Sequence, residues 1–356
     1  MLINRYLSRE IFTPVVTICA ILVLIFAGYS TTRYLPDAAN GLMTGNTVLV
    51  LVLLKILIAL EVLIPVTLFL SVITVLGRLH AESEIIAMQA CGLGEKSLLK
   101  TVFYMSFLIA TIVAALSLYA RPWAYEKSYW LKAEAEANFD LSRLRSGRFH
   151  EVGESNYVVF LESIDEQQRL ARGVFIEQRK DATRTVTYAK EAWQEIDPSS
   201  GEKSVVLRDG YHYEMAANFG QTKLYKFQAT RLLLKPKEIV SVGYRRKAEP
   251  TANLAGSSET EDIAEFQWRM STGLTTVLLG LLGIPLSRTA PRRGKSAKIF
   301  IGIIIFAVFY NLTAVAKMWV EQGVVDSFPG VWWPHFLLAV LLSILLNPKI
   351  FYVQFK

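Results

Sequence analysis

Few residues in this chain stand at the spacing that bond-making chemistry needs. The four histidines, His80, His150, His212 and His335, are scattered, with no H-E-x-x-H pair to hold a catalytic zinc. Gly294-Lys295-Ser296 ends like a phosphate-binding loop, but position 289 is Thr where that loop needs Gly. No G-x-S-x-G nucleophile elbow occurs. Catalytic and metal-ligating sites are therefore not expected, and the informative residues are charges set in apolar surroundings.

Lys55 and Glu61 lie within one apolar run, six positions apart. That spacing puts them on different helix faces, so they cannot pair with each other. Lys55 can snorkel outward, whereas Glu61 should face protein or a wet cavity. Pro65 removes the helical donor for the Glu61 carbonyl, which marks a hinge or a cavity wall. Arg33 follows the first apolar run and Lys317 closes the fifth. Two readings stay open for this pair: interface anchors, or cations at one level that recognise an anionic head group.

The segment from Gly77 to Leu99 is of another kind. Ser83 is placed to cap a short helix whose first turn holds Glu84. Ile85 and Met88, with Ala81 and Cys91, make an apolar stripe, and Gly92 and Gly94 stop the helix. Such a helix could lie on lipid, but Glu82 and Glu84 suit an anionic surface poorly. A protein groove is the better partner, as for a helix that couples a permease to an ATPase.

The elements that must position these residues are hydrophobic runs at Ile11–Tyr29, Val48–Leu76, Leu98–Leu118, Met270–Leu286, Ile299–Val320 and Val331–Leu346. Each approaches or exceeds the roughly 20 residues that cross a bilayer core. The chain has 356 residues, is 52% hydrophobic, and carries a formal net charge of +7. Its mean hydropathy is +0.33. The charge follows membrane topology more than nucleic-acid binding. Arg5, Arg9, Arg78, Lys96, Lys100, Arg288, Arg292, Arg293, Lys295, Lys298, Lys349 and Lys356 fall on one side of the spans, against Arg33 and Lys317 on the other. Both ends are then cytoplasmic. The first run exceeds a signal h-region of about 7–15 residues and lacks an A-x-A site, so it reads as an uncleaved span.

Between the third and fourth spans the chain turns polar. Trp123 to Ala137 predicts a short amphipathic helix at the membrane surface. From about Phe149 the period becomes two, over Tyr157–Leu161, Gly173–Glu177, Thr185–Tyr188, Val205–Arg208, Tyr211–Met215, Lys223–Phe227 and Thr230–Leu234. Turn signals at Asp197–Gly201, Asp209-Gly210 and Asn218–Gly220 separate them. Short strands without intervening helices predict an antiparallel sandwich or jelly roll. The two cysteines, Cys19 and Cys91, lie outside this region, so no disulfide staples it. The fold class is a polytopic α-helical membrane protein with six spans and an external β jelly roll. Residues 1–120 hold spans one to three with the helix at 82–92, residues 121–264 the β domain, and residues 265–356 spans four to six.

Two motifs carry a family resemblance. Glu82-Ser-Glu-Ile-Ile-Ala-Met-Gln-Ala-Cys-Gly-Leu93 resembles the coupling helix of the YjgP/YjgQ family, the lipopolysaccharide export permeases LptF/LptG. Ala264-Glu-Phe-Gln-Trp-Arg-Met270 and the start Arg5-Tyr-Leu-Ser-Arg-Glu10 resemble the LptF branch. The LptG-type sister permease is the alternative. The resemblance spans the whole chain and implies a non-hydrolysing subunit of an ABC exporter in the Gram-negative inner membrane. It implies a heterodimer with the sister permease, two copies of the ATPase LptB, and hand-off of lipopolysaccharide to LptC and LptA through a periplasmic jelly roll. It implies no cofactor, ATP being bound by the partner. Glu84 falls where the coupling helix meets the ATPase, and Arg33 and Lys317 where cations approach lipid phosphates. Lys55 and Glu61 match no family site. A membrane-anchored envelope sensor is a rival, weakened by the lack of a long cytoplasmic segment. A secondary transporter would need coupling charges in broken helices, and only Glu61 beside Pro65 suggests one.

Overall fold

The computed structural model describes residues 2–92, 94–137, 146–152, 157–165, 170–180, 183–196, 203–216, 222–233, 245–288 and 295–347. The apolar runs form helices because a bilayer offers no water to satisfy backbone groups, and a helix satisfies its own. With three shorter or more polar helices, the described helices are α1 (Leu2–Ala39), α2 (Gly45–Ala81), α3 (Glu84–Ala90), α4 (Glu95–Ala115), α5 (Arg121–Ala137), α6 (Thr251–Ala255), α7 (Thr260–Ser287), α8 (Lys295–Glu321) and α9 (Trp333–Leu346). Strands β1 to β6 cover Phe149–Val152, Tyr157–Asp165, Leu170–Lys180, Thr183–Ile196, Lys203–Ala216 and Lys223–Leu233. Among the described residues five stretches are long and apolar enough to cross a membrane: Ile3–Ala39, Gly45–Ala81, Glu95–Ala135, Thr260–Ser287 and Lys298–Glu321. The sixth expected run forms the shorter apolar helix Gly330–Leu346.

The helix expected to lie on the membrane surface after the third run is continuous with that run. A π-helical turn at Leu116–Ala120 joins α4 to α5. Pro122 has no N–H to give the carbonyl of Leu118 four residues earlier, and the wider turn absorbs that loss. The Thr251 hydroxyl donates to that carbonyl instead, at 2.7 Å.

The chain forms two compact units, one of Met1–Gly28, Leu53–Glu126 and Arg245–Lys356, the other of Tyr29–Val52 and Lys127–Tyr244. The first is helical. Leu7, Ile11 and Val15 of α1 share a core with Leu68, Val72 and Leu76 of α2, Ile85 of α3, Val102 and Val113 of α4, and Ile284 of α7. A second core joins Phe69 and Ile73 to Leu279, Leu282, Phe309, Leu338 and Leu342. Small residues set how closely α7 approaches its neighbours: a Cβ on Gly283 would lie 2.7 Å from Val72 Cγ1, and one on Gly280 would strike the Ser106 side chain.

In the second unit the six strands pair in sequence order, every pair antiparallel. Among the described residues this is an up-and-down meander, without the crossing connections of the expected jelly roll. The turn expected at Asp209-Gly210 is also absent. Both residues lie inside β5, which pairs with β4 and β6. Asp209 takes a φ of 51°, a local kink within the strand. A Cβ on Gly210 would sit 2.9 Å from Phe227 Cε2, so glycine is there for close packing. Pairing on both edges outweighs the local turn preference. The other two expected turns fall outside the described residues.

Candidate functional site

The strongest chemical feature of the helical unit is a buried cluster of charges contributed by α2, α5, α7 and α8. Glu61 on α2 is paired with Arg121 at the start of α5, Oε2 to Nε at 3.2 Å. Its other oxygen accepts the Ser117 hydroxyl at 3.0 Å and the Trp268 indole N–H at 3.1 Å. Arg121 reaches onward to Glu265 on α7, Nη1 to Oε1 at 3.1 Å. Glu265 also accepts the Arg269 Nε–H at 3.1 Å, one helical turn along, and pairs with Lys317 of α8. The Lys317 ammonium stands 5.3 Å from the centre of the Trp268 ring and 3.7 Å from Glu321. Glu265 and Arg269 are fully buried. Ions so deep are tolerated only where partners replace their water.

Arg269 carries that replacement furthest. Nη1 donates to the Glu249 carbonyl at 2.8 Å and the Thr251 hydroxyl at 2.9 Å. Nη2 donates to the carbonyls of Arg246 and Lys247 at 3.1 and 3.3 Å. A planar guanidinium has the fixed fork of donors for such a set, and an ammonium does not. One side chain thus ties α7 to the segment that enters α6.

A cavity of about 30 Å³ adjoins the cluster, lined by Glu61, Pro65, Trp268, Thr272, Tyr310 and Thr313 among others. It has room for about one water. α2 runs unbroken through Pro65. Lys55 does not meet Glu61: its Nζ lies 5.2 Å from the centre of the Tyr125 ring, with the Arg121 guanidinium at 5.7 Å from the same ring. Arg33 is exposed on α1 and belongs to the second compact unit, whereas Lys317 belongs to the first and pairs with Glu265.

The short helix begins at Glu84, one residue after Ser83. The hydroxyl cap expected of Ser83 is not formed: its φ is 61°, and the reversal from α2 into α3 is made by the backbone. The Ser83 carbonyl accepts the Ala87 N–H at 3.0 Å. Gly92, with a φ of 89°, ends the helix as expected of a left-handed stop. Only the Ile85 and Met88 part of the expected stripe turns inward, while Ala81 and Cys91 stay exposed. Ile85 is buried in the core with Leu7 and Ile11, and Met88 packs on the same core. Glu84 accepts the Tyr6 hydroxyl at 3.1 Å. Glu82, Ile86, Gln89 and Cys91 remain exposed, and Arg78 pairs with Glu10 close by. The helix is seated on α1 through its apolar side and presents the opposite side outward.

The β unit holds a row that the strand pattern did not reveal. Phe149, Phe160, Phe175, Tyr188 and Tyr211 stand opposite one another across five successive strands, ending at Lys226. Phe149 and Phe160 have ring centres 4.8 Å apart, and Lys226 Nζ is 5.9 Å from the Tyr211 ring. Register alone makes this row, and register is a tertiary property.

A family profile described as lipopolysaccharide export system permease LptF/LptG matches residues 5–348. The chain belongs to the LptF/LptG family. Among similar proteins is the lipopolysaccharide export system permease protein LptF of Escherichia coli K12, 27% identical over 350 residues that cover 98% of this chain and 94% of that protein. The protein of the same name from Shigella flexneri gives the same figures. Apolar helices that precede and follow a six-stranded antiparallel sheet along the chain are consistent with a membrane permease carrying a β domain. Arg121, Glu265, Trp268 and Arg269 are the site residues that reading by type and spacing missed. The Glu265/Arg269 spacing was a visible signal, since residues four apart share a helix face. Arg121 gave no local sign, because its partners come from α2 and α7.

Proposed function

We propose that this chain is the LptF-type permease subunit of an ABC exporter, which extracts lipopolysaccharide from the inner membrane and passes it through its β domain towards the outer membrane. The observation that carries the reading is the family match over residues 5–348, on a chain whose helices flank one six-stranded sheet. In this reading α9 is the sixth span, the sheet belongs to a periplasmic β domain, and both ends are cytoplasmic. The chain needs no cofactor and hydrolyses nothing; two copies of the ATPase LptB bind ATP. Ile85 and Met88 seat the coupling helix, and Glu82, Ser83, Glu84, Cys91 and Gly92 shape the side that meets the ATPase. The sister permease LptG completes the cavity, and LptC and LptA receive the lipid.

Acyl chains favour the apolar helix surfaces by about 0.8 kcal/mol per buried CH₂. Entry from the bilayer is therefore nearly neutral, and expulsion is the step that needs ATP. Arg33 and Lys317 bind the lipid A phosphates. The aromatic row from Phe149 to Tyr211 offers the acyl chains a surface on the β domain. Affinity purification of the tagged chain from membranes tests the reading. A stoichiometric ATPase and sister permease should accompany it, and the chain stripped of both should hydrolyse no ATP. Hydrolysis by the chain alone, or isolation without an ATPase, would refute it.

A further inference from the structure

Glu265 has more cations around it than its own neutralisation requires. Oε1 accepts the Arg269 Nε–H at 3.1 Å and stands in ion-pair contact with Arg121 Nη1 at 3.1 Å, and Oε2 pairs with Lys317. These three cations differ in how free they are to leave. Arg121 also holds Glu61, at 3.2 Å. Arg269 is spread over the carbonyls of Arg246, Lys247 and Glu249, which it would orphan by moving. Among the described residues Lys317 is tied besides only to Glu321 and to the face of the Trp268 ring, neither of which it would orphan by moving. Its side chain is 14% exposed, against 7% for Arg121 and 0% for Arg269, so it is the most accessible of the three.

The energetics favour exchange at Lys317. A buried carboxylate that loses its last cation is heavily penalised. Glu265 would keep two guanidiniums when the lysine departs, so its charge is never stranded. The lysine is a point charge on a flexible stem and trades one anion for another without a fixed geometry. A phosphate ester brings up to about two negative charges and three acceptor oxygens, enough to displace a singly charged carboxylate.

We propose that Glu265 is a built-in competitor for the anion that Lys317 binds: it occupies the ammonium in the empty state, yields it to a phosphate ester, and takes it back to help the ester leave. The inference rests on the phosphate reading of Lys317 given above. Glu265 is then a positioning residue for release rather than a contact of the substrate.

The test compares binding of lipopolysaccharide, its dephosphorylated form and phosphatidylglycerol to the full chain, assembled with its partner subunits in nanodiscs. Glu265→Gln should tighten binding of the phosphorylated lipid roughly tenfold, as expected for loss of a competing charged hydrogen bond, while export slows. Dephosphorylated lipid should gain nothing. A gain for phosphatidylglycerol of equal size would mean that any phosphate headgroup is taken; a gain for lipopolysaccharide alone assigns the site to that lipid, and either supports the competition. The gain should vanish in the Lys317→Gln background. Unchanged or weaker binding in Glu265→Gln, or a gain that persists without Lys317, overturns the proposal. Full binding by Lys317→Gln itself would instead remove the phosphate role of the lysine. Should Glu265→Gln fail to assemble, Glu265→Asp decides. Its carboxylate still compensates the arginine charges, but the side chain is shorter by one methylene, about 1.5 Å, and holds the lysine less well, so binding should tighten several-fold. No tightening there is equally decisive against.

Discussion

At the residue scale the structure turns on how buried ions are compensated. Glu61 looks isolated in its apolar run, and its helix holds no partner for it. The partners arrive from α5 and α7, as Arg121 and Trp268. Arg269 is the least replaceable member of the cluster, because every branch of its guanidinium has an acceptor. Arg269→Met should lower stability by roughly 3 kcal/mol, since it leaves buried carbonyls without donors. Arg269→Lys should recover little, as an ammonium cannot span that set. Thermal unfolding of the purified full chain in detergent measures both. A lysine variant as stable as the parent would show that charge matters there and geometry does not.

At the element scale the short helix α3 is the informative case. Its existence, its Gly92 stop and its apolar stripe were legible in the sequence, since these rest on local spacing. Which way the stripe faces was not, because that depends on Leu7 and Ile11 of α1. Glu84→Ala removes both the partner of Tyr6 and a charge on the face proposed to meet the ATPase. It should reduce ATPase recovered with the chain, or leave hydrolysis running without export. Tyr6→Phe, which keeps the Glu84 charge, should have the smaller effect. Pull-down stoichiometry and hydrolysis measured against lipid transport check this pair; full coupling in Glu84→Ala would dismiss the residue from the contact. The same contrast between local and distant causes explains β5, where Asp209-Gly210 reads as a turn and the neighbouring strands carry one strand through it, with only a kink at Asp209.

At the scale of the whole molecule, the two compact units each carry one of the cations proposed to meet lipid phosphates, Arg33 in one and Lys317 in the other. Neutralising both as Arg33→Gln with Lys317→Gln should cut photo-crosslinking to lipopolysaccharide by more than either change alone. Membranes from cells carrying each variant supply the measurement. Crosslinking equal to the parent in the double variant would return both residues to the role of interface anchors.

The amino-acid sequence by itself determined what length and periodicity control: which stretches are apolar enough to be helices in a bilayer, where a sheet interrupts them, and that one short helix follows α2. Those are properties of near neighbours along the chain, and hydrophobic burial enforces them wherever the elements end up. The tertiary structure alone decided which charges meet. Lys55 turned to Tyr125, Glu61 to Arg121, and Lys317 to Glu265, since ion pairing in a low-dielectric interior is settled by which helix faces oppose one another. It also decided the register that lines up five aromatic rings across the sheet, a pattern no single strand contains.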